Sequence, residues 1–128
     1  MTANKYRAIR AYRCGECGGT VHYREQACLS CGKLAVISFD SRAEARRYDE
    51  LRQSEALGLI SDLKRQVPFP ITVNGQDVAV YRADFIYTEN GVLVVEDVKS
   101  GPTKTAEYKL KKKLVKAVHG VTITEVMS

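Results

Sequence analysis

The sequence lacks the segments that mark a membrane or secreted protein. It has no apolar run of about 18 residues, so no membrane-spanning helix is predicted. Its N-terminal region is basic but lacks the apolar core of a secretory signal. No cysteine follows Cys31, and no internal repeat or low-complexity segment occurs beyond two cysteine pairs. These absences predict a protein of the cytoplasm, a reducing compartment, with no membrane partner.

The length and charge of the chain limit its organisation and its partners. A chain of 128 residues can form one ordinary domain, or a small domain with an appendage. Its net charge of +5 favours a polyanionic partner, nucleic acid before a membrane. All four cysteines lie in the first quarter of the chain. We therefore predict a small module over residues 1–37 and a main domain over residues 38–128.

Two Cys-x₂-Cys pairs, separated by ten residues, dominate the small module; they are Cys14, Cys17, Cys28 and Cys31. Such a pair places two thiolates on one tetrahedral zinc, and the glycine after each pair lets backbone amides approach sulfur. The pattern predicts a structural Cys₄ zinc ribbon that requires zinc to fold. Disulfides are the alternative, which a reducing compartment disfavours. His22 lies between the pairs and is surplus to a complete ligand set.

The role of this module follows less directly from its sequence. It is basic, with Arg7, Arg10, Arg13, Arg24 and Lys33. The module can contact DNA, mediate dimerisation or brace the main domain, and its positive charge favours DNA contact.

The main domain shows the order helix, three strands, helix, strand. Ser41 and Glu44 fit a capping box, which predicts a helix from Arg42 to Leu57. Two Asn-Gly pairs predict hairpin turns between three strands, placed at Val67–Val73, Gln76–Tyr87 and Val92–Lys99. After a break at Gly101-Pro102 come a helix over Thr105–Val118 and a strand over Val121–Val126. The predicted fold is α/β with a mixed sheet, and the prolines of the first strand place that strand at an edge.

Charged residues interrupt the second and third of these strands, where burying an unpaired charge is costly. Alternation places Asp97 and Lys99 on one face of the third strand and Glu96 on the other. Asp84 lies on the preceding strand, and the register decides whether it lies beside Asp97. Glu44 shares a helix stripe with apolar residues that should face the sheet.

This set of residues suits the hydrolysis of a phosphodiester bond. We predict that Asp84 and Asp97 bind Mg²⁺ or Mn²⁺ and that Lys99 orients the attacking water. Glu44 would complete the metal shell. The alternatives are that Glu44 only caps its helix, and that Asp97 and Lys99 form a solvated strand end. Glu96 is the second choice as a metal ligand.

The order of these elements and residues resembles the PD-(D/E)XK nuclease superfamily, whose restriction-endonuclease-like core is αβββαβ. The family motif places an acid on the second core strand, (D/E)-x-K on the third, and often a glutamate on the first helix. The matching positions here are Asp84, Asp97-Val98-Lys99 and Glu44. The proline of the family name is absent, because Arg82-Ala83 precedes Asp84. The pattern over residues 38–127 is particularly similar to small phage-type members, among them endonucleases and Holliday-junction resolvases.

The resemblance implies a metal-dependent endodeoxyribonuclease of a bacterial or phage-infected cell, acting on duplex or branched DNA. Cutting a four-way junction needs two symmetric cuts and would imply a homodimer. Residues of the second helix often contact the substrate in this family. Here four lysines spaced as one helix face are predicted to bind phosphates: Lys109, Lys112, Lys113 and Lys116. A solvated face is the alternative, and the predicted apolar face contains Leu110, Leu114, Ala117 and Val118. The alternative function is a non-catalytic nucleic-acid-binding protein on a nuclease scaffold.

Overall fold

The computed structural model describes residues 10–99 and 105–127. The chain forms two compact units, Met1–Arg52 and Gln53–Ser128. The predicted boundary between residues 37 and 38 stays a prediction, and the predicted break at Gly101-Pro102 lies outside the described residues. No helix within the described ranges is long and apolar enough to cross a membrane.

The first unit contains a small antiparallel sheet of the order β2-β1-β3, with β1 at Ala11–Cys14, β2 at Thr20–Val21 and β3 at Val36–Phe39. Tyr12 of β1 lies opposite both Val21 of β2 and Ser38 of β3. Two of the four cysteines, Cys14 and Cys28, are buried with Val21 in a small cluster of three buried residues among those described, and the partly buried Tyr12 and Val36 pack against it. So small a core needs support beyond apolar burial.

Helix α1 (Arg42–Ala56) begins with the predicted capping box. The Ser41 hydroxyl accepts a hydrogen bond from the Glu44 N–H at 3.1 Å. Glu44 Oε2 accepts one from the Asp40 N–H at 3.3 Å. Tyr48 and Leu51, the apolar residues predicted to share a stripe with Glu44, are buried, and the Tyr48 ring lies 5.0 Å from that of Phe39.

The second unit contains a four-stranded sheet of the order β4-β5-β6-β7, with β4 at Ser61–Val73, β5 at Gln76–Glu89, β6 at Val92–Lys99 and β7 at Ile123–Met127. The first three strands form an antiparallel meander with β4 at the edge, as predicted. Strand β7 pairs with β6 in parallel, which makes the sheet mixed. The prediction of a mixed α/β fold is confirmed, and β4 is longer than predicted.

Both Asn-Gly pairs form the predicted hairpin turns. Asn74 and Gly75 have φ of 51° and 78°, and Asn90 and Gly91 have φ of 53° and 77°. Two consecutive positive φ angles are the conformation that matches the twist of the flanking strands, and Asn-Gly adopts them at low cost.

Helix α2 (Ala106–His119) is capped by Thr105, whose hydroxyl accepts the Tyr108 N–H, and by Gly120 in the left-handed region with φ of 70°. Its buried side is centred on Val115 and packs with Tyr108 and Leu114 against Val95 and Ile123 of the sheet. The predicted apolar face was partly wrong, since Leu110 is 58% exposed and Val118 is 40% exposed. The rotation of the helix follows from how Tyr108 and Val115 pack on the sheet, which spacing along the sequence does not determine.

Candidate acidic site and cysteine cluster

Asp84 and Asp97 lie together at the point where the pairing of β5 with β6 ends. The last paired residues of this ladder are Phe85 and Glu96, so Asp84 and Asp97 are the next residue on each strand. Asp84 Oδ2 accepts a hydrogen bond from the Val98 N–H at 2.8 Å. The Asp84 side chain therefore lies against the β6 backbone directly beside Asp97.

Lys99 joins this pair through its ammonium group. Its Nζ lies 2.9 Å from Asp97 Oδ2, and both side chains are largely buried, at 13% and 9% exposure. The same Nζ lies 3.5 Å from the ring centroid of Tyr108, a cation–π contact that fixes the other side of the ammonium. The three predicted residues of the sheet are thus neighbours in the second unit.

A further acid, Glu125, lies beside them, and the sequence analysis did not predict it. It faces Asp97 in the parallel pairing of β6 and β7. Its Oε2 accepts a hydrogen bond from the Tyr108 hydroxyl at 2.8 Å and lies 3.3 Å from Lys112 Nζ. The signal was present in the sequence as a charge within an apolar strand, the same signal that identified Asp97.

The Tyr81 hydroxyl is buried at this site without a hydrogen-bond partner among the residues that the structure describes. Burial raises the pKa of Tyr81, and the negative charges of Asp97, Asp84 and Glu125 raise it further. The phenol therefore stays protonated and keeps a proton to donate. An unpaired buried hydroxyl costs free energy, so the Tyr81 hydroxyl is a donor that a polar group entering the site could satisfy.

Carboxylates outnumber ammonium groups among the described side chains of this site. Among the described residues, three carboxylates (Asp84, Asp97 and Glu125) lie in this region with two ammonium groups, of which Lys99 pairs with Asp97 and Lys112 pairs with Glu125. Mg²⁺ prefers oxygen ligands and is usually held through one or two carboxylates with waters completing its shell. Asp84 and Asp97 are the residues that could hold it.

Glu96 and Glu44 make other contacts. Glu96 is buried and accepts a hydrogen bond from the Tyr87 hydroxyl, and alternation places it on the face of β6 away from Asp97. Glu44 is buried in the first unit, where its carboxylate takes part in the helix cap. Its predicted part in a metal shell stays a prediction.

The four lysines of α2 do not share one environment. Lys109, Lys113 and Lys116 are exposed, whereas Lys112 is half-buried and forms the ion pair with Glu125. The exposed basic face is therefore narrower than the sequence predicted, and Lys112 belongs to the border of the acidic site.

The four cysteines of the first unit form a tight cluster, with all four sulfurs within 4.8 Å of one another. The Cys14 and Cys31 sulfurs are 3.6 Å apart, those of Cys17 and Cys28 are 3.5 Å apart, and no disulfide joins them. Four sulfurs bound to one zinc at about 2.3 Å stand about 3.8 Å apart. The cluster has the donors and nearly the spacing to bind zinc.

Backbone N–H groups favour the thiolate, the form that binds metal, at Cys14 and Cys28, whereas hydrogen bonds with the neighbouring cysteines and burial raise the pKa of Cys17 to about 11. N–H groups of Cys31 and Ser30 directed at the Cys28 sulfur lower the pKa of Cys28 to about 6. The Cys17 N–H lowers the pKa of Cys14 in the same way. A Cβ at Gly19 would lie only 3.2 Å from the Cys28 sulfur and 3.3 Å from that of Cys17, so this position suits glycine.

Within the described residues, these cysteines are the one group of three or more metal-ligating side chains with such close ligand atoms. Residues 33–125 match the profile of the DUF1064 family, which carries the description "protein of unknown function". The match covers most of the chain, so the chain belongs to the DUF1064 family. It begins after the four cysteines and includes the whole acidic site. Comparison with curated proteins and with solved structures yields no match.

Proposed function

We propose that this protein is a divalent-metal-dependent DNA endonuclease of the PD-(D/E)XK type. One observation carries the proposal: Asp84, Asp97 and Lys99, the residues that fit the family motif, lie together at the end of the β5–β6 ladder. Paired carboxylates beside an ammonium group are what phosphodiester hydrolysis requires. The order of helices and strands around them supports the same assignment.

Each residue of the acidic site has a distinct part in this proposal. Asp84 and Asp97 would hold Mg²⁺ or Mn²⁺, which when bound supplies positive charge to the phosphoryl oxygens and lowers the pKa of the attacking water. Lys99 donates hydrogen bonds to that water or to the phosphate. Tyr81 remains protonated and adds a second donor. Glu125 is a positioning residue, because it holds the Tyr108 hydroxyl and the Lys112 ammonium.

The first prediction concerns activity itself. The full chain, loaded with zinc, is expected to cleave DNA when Mg²⁺ or Mn²⁺ is added and not when it is omitted. Supercoiled, linear, flapped and four-way DNA serve as substrates, resolved on denaturing gels. Omission of the metal is a better control than EDTA, because a chelator would also attack the cysteine cluster.

The result separates the nuclease from its non-catalytic alternative. DNA binding without cleavage of any substrate under either metal would leave a DNA-binding protein and would rule out the nuclease. Cleavage of four-way DNA in preference to linear duplex would assign branched DNA as the substrate, with the homodimer that symmetric cutting needs.

The exposed lysines of α2 give a second prediction. Replacing Lys109, Lys113 and Lys116 with glutamine should weaken DNA binding. The slope of log affinity against log salt concentration should also become shallower by about one for each phosphate that the variant no longer binds. Fluorescence anisotropy over a range of salt concentrations measures both. The matched control is Lys112→Gln, which removes the same charge from a side chain already paired with Glu125. If Lys112→Gln lowers DNA affinity as much as each of the three exposed lysines does, the exposed face is not the part of α2 that binds DNA.

A further inference from the structure

The first unit contains an open cleft of about 410 Å³ between β1, β2 and the start of α1. Four arginines and a histidine contribute to its lining, and no acid does so among the described residues. Its polar lining includes Arg10, Arg13, Thr20, His22, Arg42 and Arg46. Such a concentration of one charge around a concave surface attracts anions.

Two of the arginines have acidic partners beside the cleft. Arg13 donates from Nε and from its terminal nitrogen to the two carboxylate oxygens of Asp49, each at 2.9 Å. This bidentate pair satisfies the guanidinium of Arg13 and links β1 to α1. Arg10 lies 3.9 Å from Asp40, and both of those side chains are mostly exposed, so the pair contributes little. Arg10 can therefore turn to a ligand at low cost.

Arg42 and Arg46 are exposed and lie one turn apart on α1. Like charges at this spacing destabilise a helix by a few tenths of a kcal/mol. Arg42 is also the first residue of the helix, where the dipole disfavours a cation. Both side chains line the cleft, where an anion would offset the two positive charges.

We propose that this cleft binds backbone phosphates of nucleic acid. The planar guanidinium fork matches two phosphate oxygens at once, and Thr20 in the lining carries a hydroxyl that is a further donor for an anion. The cleft is open to solvent, as a backbone passing across the surface requires. This inference rests on the proposed function, since it takes DNA as the polyanion.

The test measures DNA affinity of the full, zinc-loaded chain by fluorescence anisotropy, without Mg²⁺ or Mn²⁺ and over a range of salt concentrations. The cleft variant is Arg42→Gln with Arg46→Gln. We expect the dissociation constant to rise about tenfold and the salt slope to fall by about two. The matched control is Arg24→Gln with Lys33→Gln, which removes two exposed charges of the same unit outside the cleft. Arg42→Lys with Arg46→Lys should keep the salt slope and lose only part of the affinity.

Each outcome supports or overturns the inference. A loss confined to the cleft variant, with zinc content and thermal unfolding unchanged, supports it. Equal losses in both glutamine variants, or no loss in either, overturn it and leave the proposed nuclease intact. In another outcome, inorganic phosphate shifts the NMR signals of Thr20 and His22 while the cleft variant keeps the DNA affinity of the unmodified protein. That result overturns the inference, because the cleft would then bind a free anion and not DNA. Failure of the unmodified protein to bind any DNA overturns the proposed function itself.

Discussion

Asp97→Asn is expected to reduce DNA cleavage by more than about 100-fold while DNA affinity changes by less than about threefold. The amide keeps the size of the side chain but loses the negative charge that would hold the metal. It also loses the ion pair to Lys99, whose Nζ lies 2.9 Å from Asp97. Single-turnover cleavage rates and anisotropy measure the two effects separately. Cleavage at the unmodified rate would place the active site elsewhere.

The largely buried Asp97–Lys99 pair makes stability a competing explanation. Removing one partner of a buried pair destabilises a protein by about 3–5 kcal/mol, so a loss of activity must be compared with thermal unfolding. Asp84→Asn separates the two explanations more sharply. An asparagine oxygen can still accept the Val98 N–H, so the local structure is kept while the charge is lost. We expect Asp84→Asn to abolish cleavage in a protein that unfolds near the normal temperature.

Asp77→Asn is the matched control for both substitutions. Asp77 is exposed near the tip of the β4–β5 hairpin, where it accepts a hydrogen bond from the Thr72 hydroxyl. The same chemical change there should leave cleavage unaltered. Equal loss of activity in Asp77→Asn would show that charge in general, and not the acidic site, governs the reaction.

The parts of this fold that the sequence predicted are those determined by neighbouring residues. The Asn74-Gly75 and Asn90-Gly91 turns set the meander, because positive φ angles at both positions are a local property of the chain. The capping box of α1 and the Gly120 cap of α2 are local in the same sense. The hairpin brought β5 beside β6, but the sequence analysis left open the register that decides whether Asp84 lies beside Asp97, and the structure supplies it.

The parts that the sequence did not predict depend on contacts between distant segments. Glu125 reaches Asp97 only because β7 returns beside β6 after the intervening helix, in a parallel register that no turn determines. The ion pair of Lys112 with Glu125 was not predicted either, because packing of Tyr108 and Val115 sets the rotation of α2. The arginine cleft was not predicted for the same reason, because its lining residues Arg10 and Arg46 come from separate segments of the chain.

Loss of zinc is expected to unfold the cysteine region of the first unit. Its buried core consists of Cys14, Val21 and Cys28, so most of its stability must come from the metal. Structural zinc sites contribute about 10–16 kcal/mol of apparent binding free energy, which is folding free energy when no site exists in the unfolded chain. Cys14→Ser with Cys28→Ser should therefore lose the zinc, about one ion per chain, together with the dispersed amide signals of residues 10–39.

Metal analysis measures the zinc content and NMR of the full chain measures the amide dispersion, with His22→Asn as the control. His22 is exposed and lies outside the cluster of four sulfurs, so its replacement should leave zinc content and amide dispersion unchanged. Because the acidic site lies in the second unit, amide signals of β5 and β6 should survive in the double serine variant. A folded, zinc-free protein would refute the ribbon, since four cysteine sulfurs within 4.8 Å of one another would then be stable without a cation.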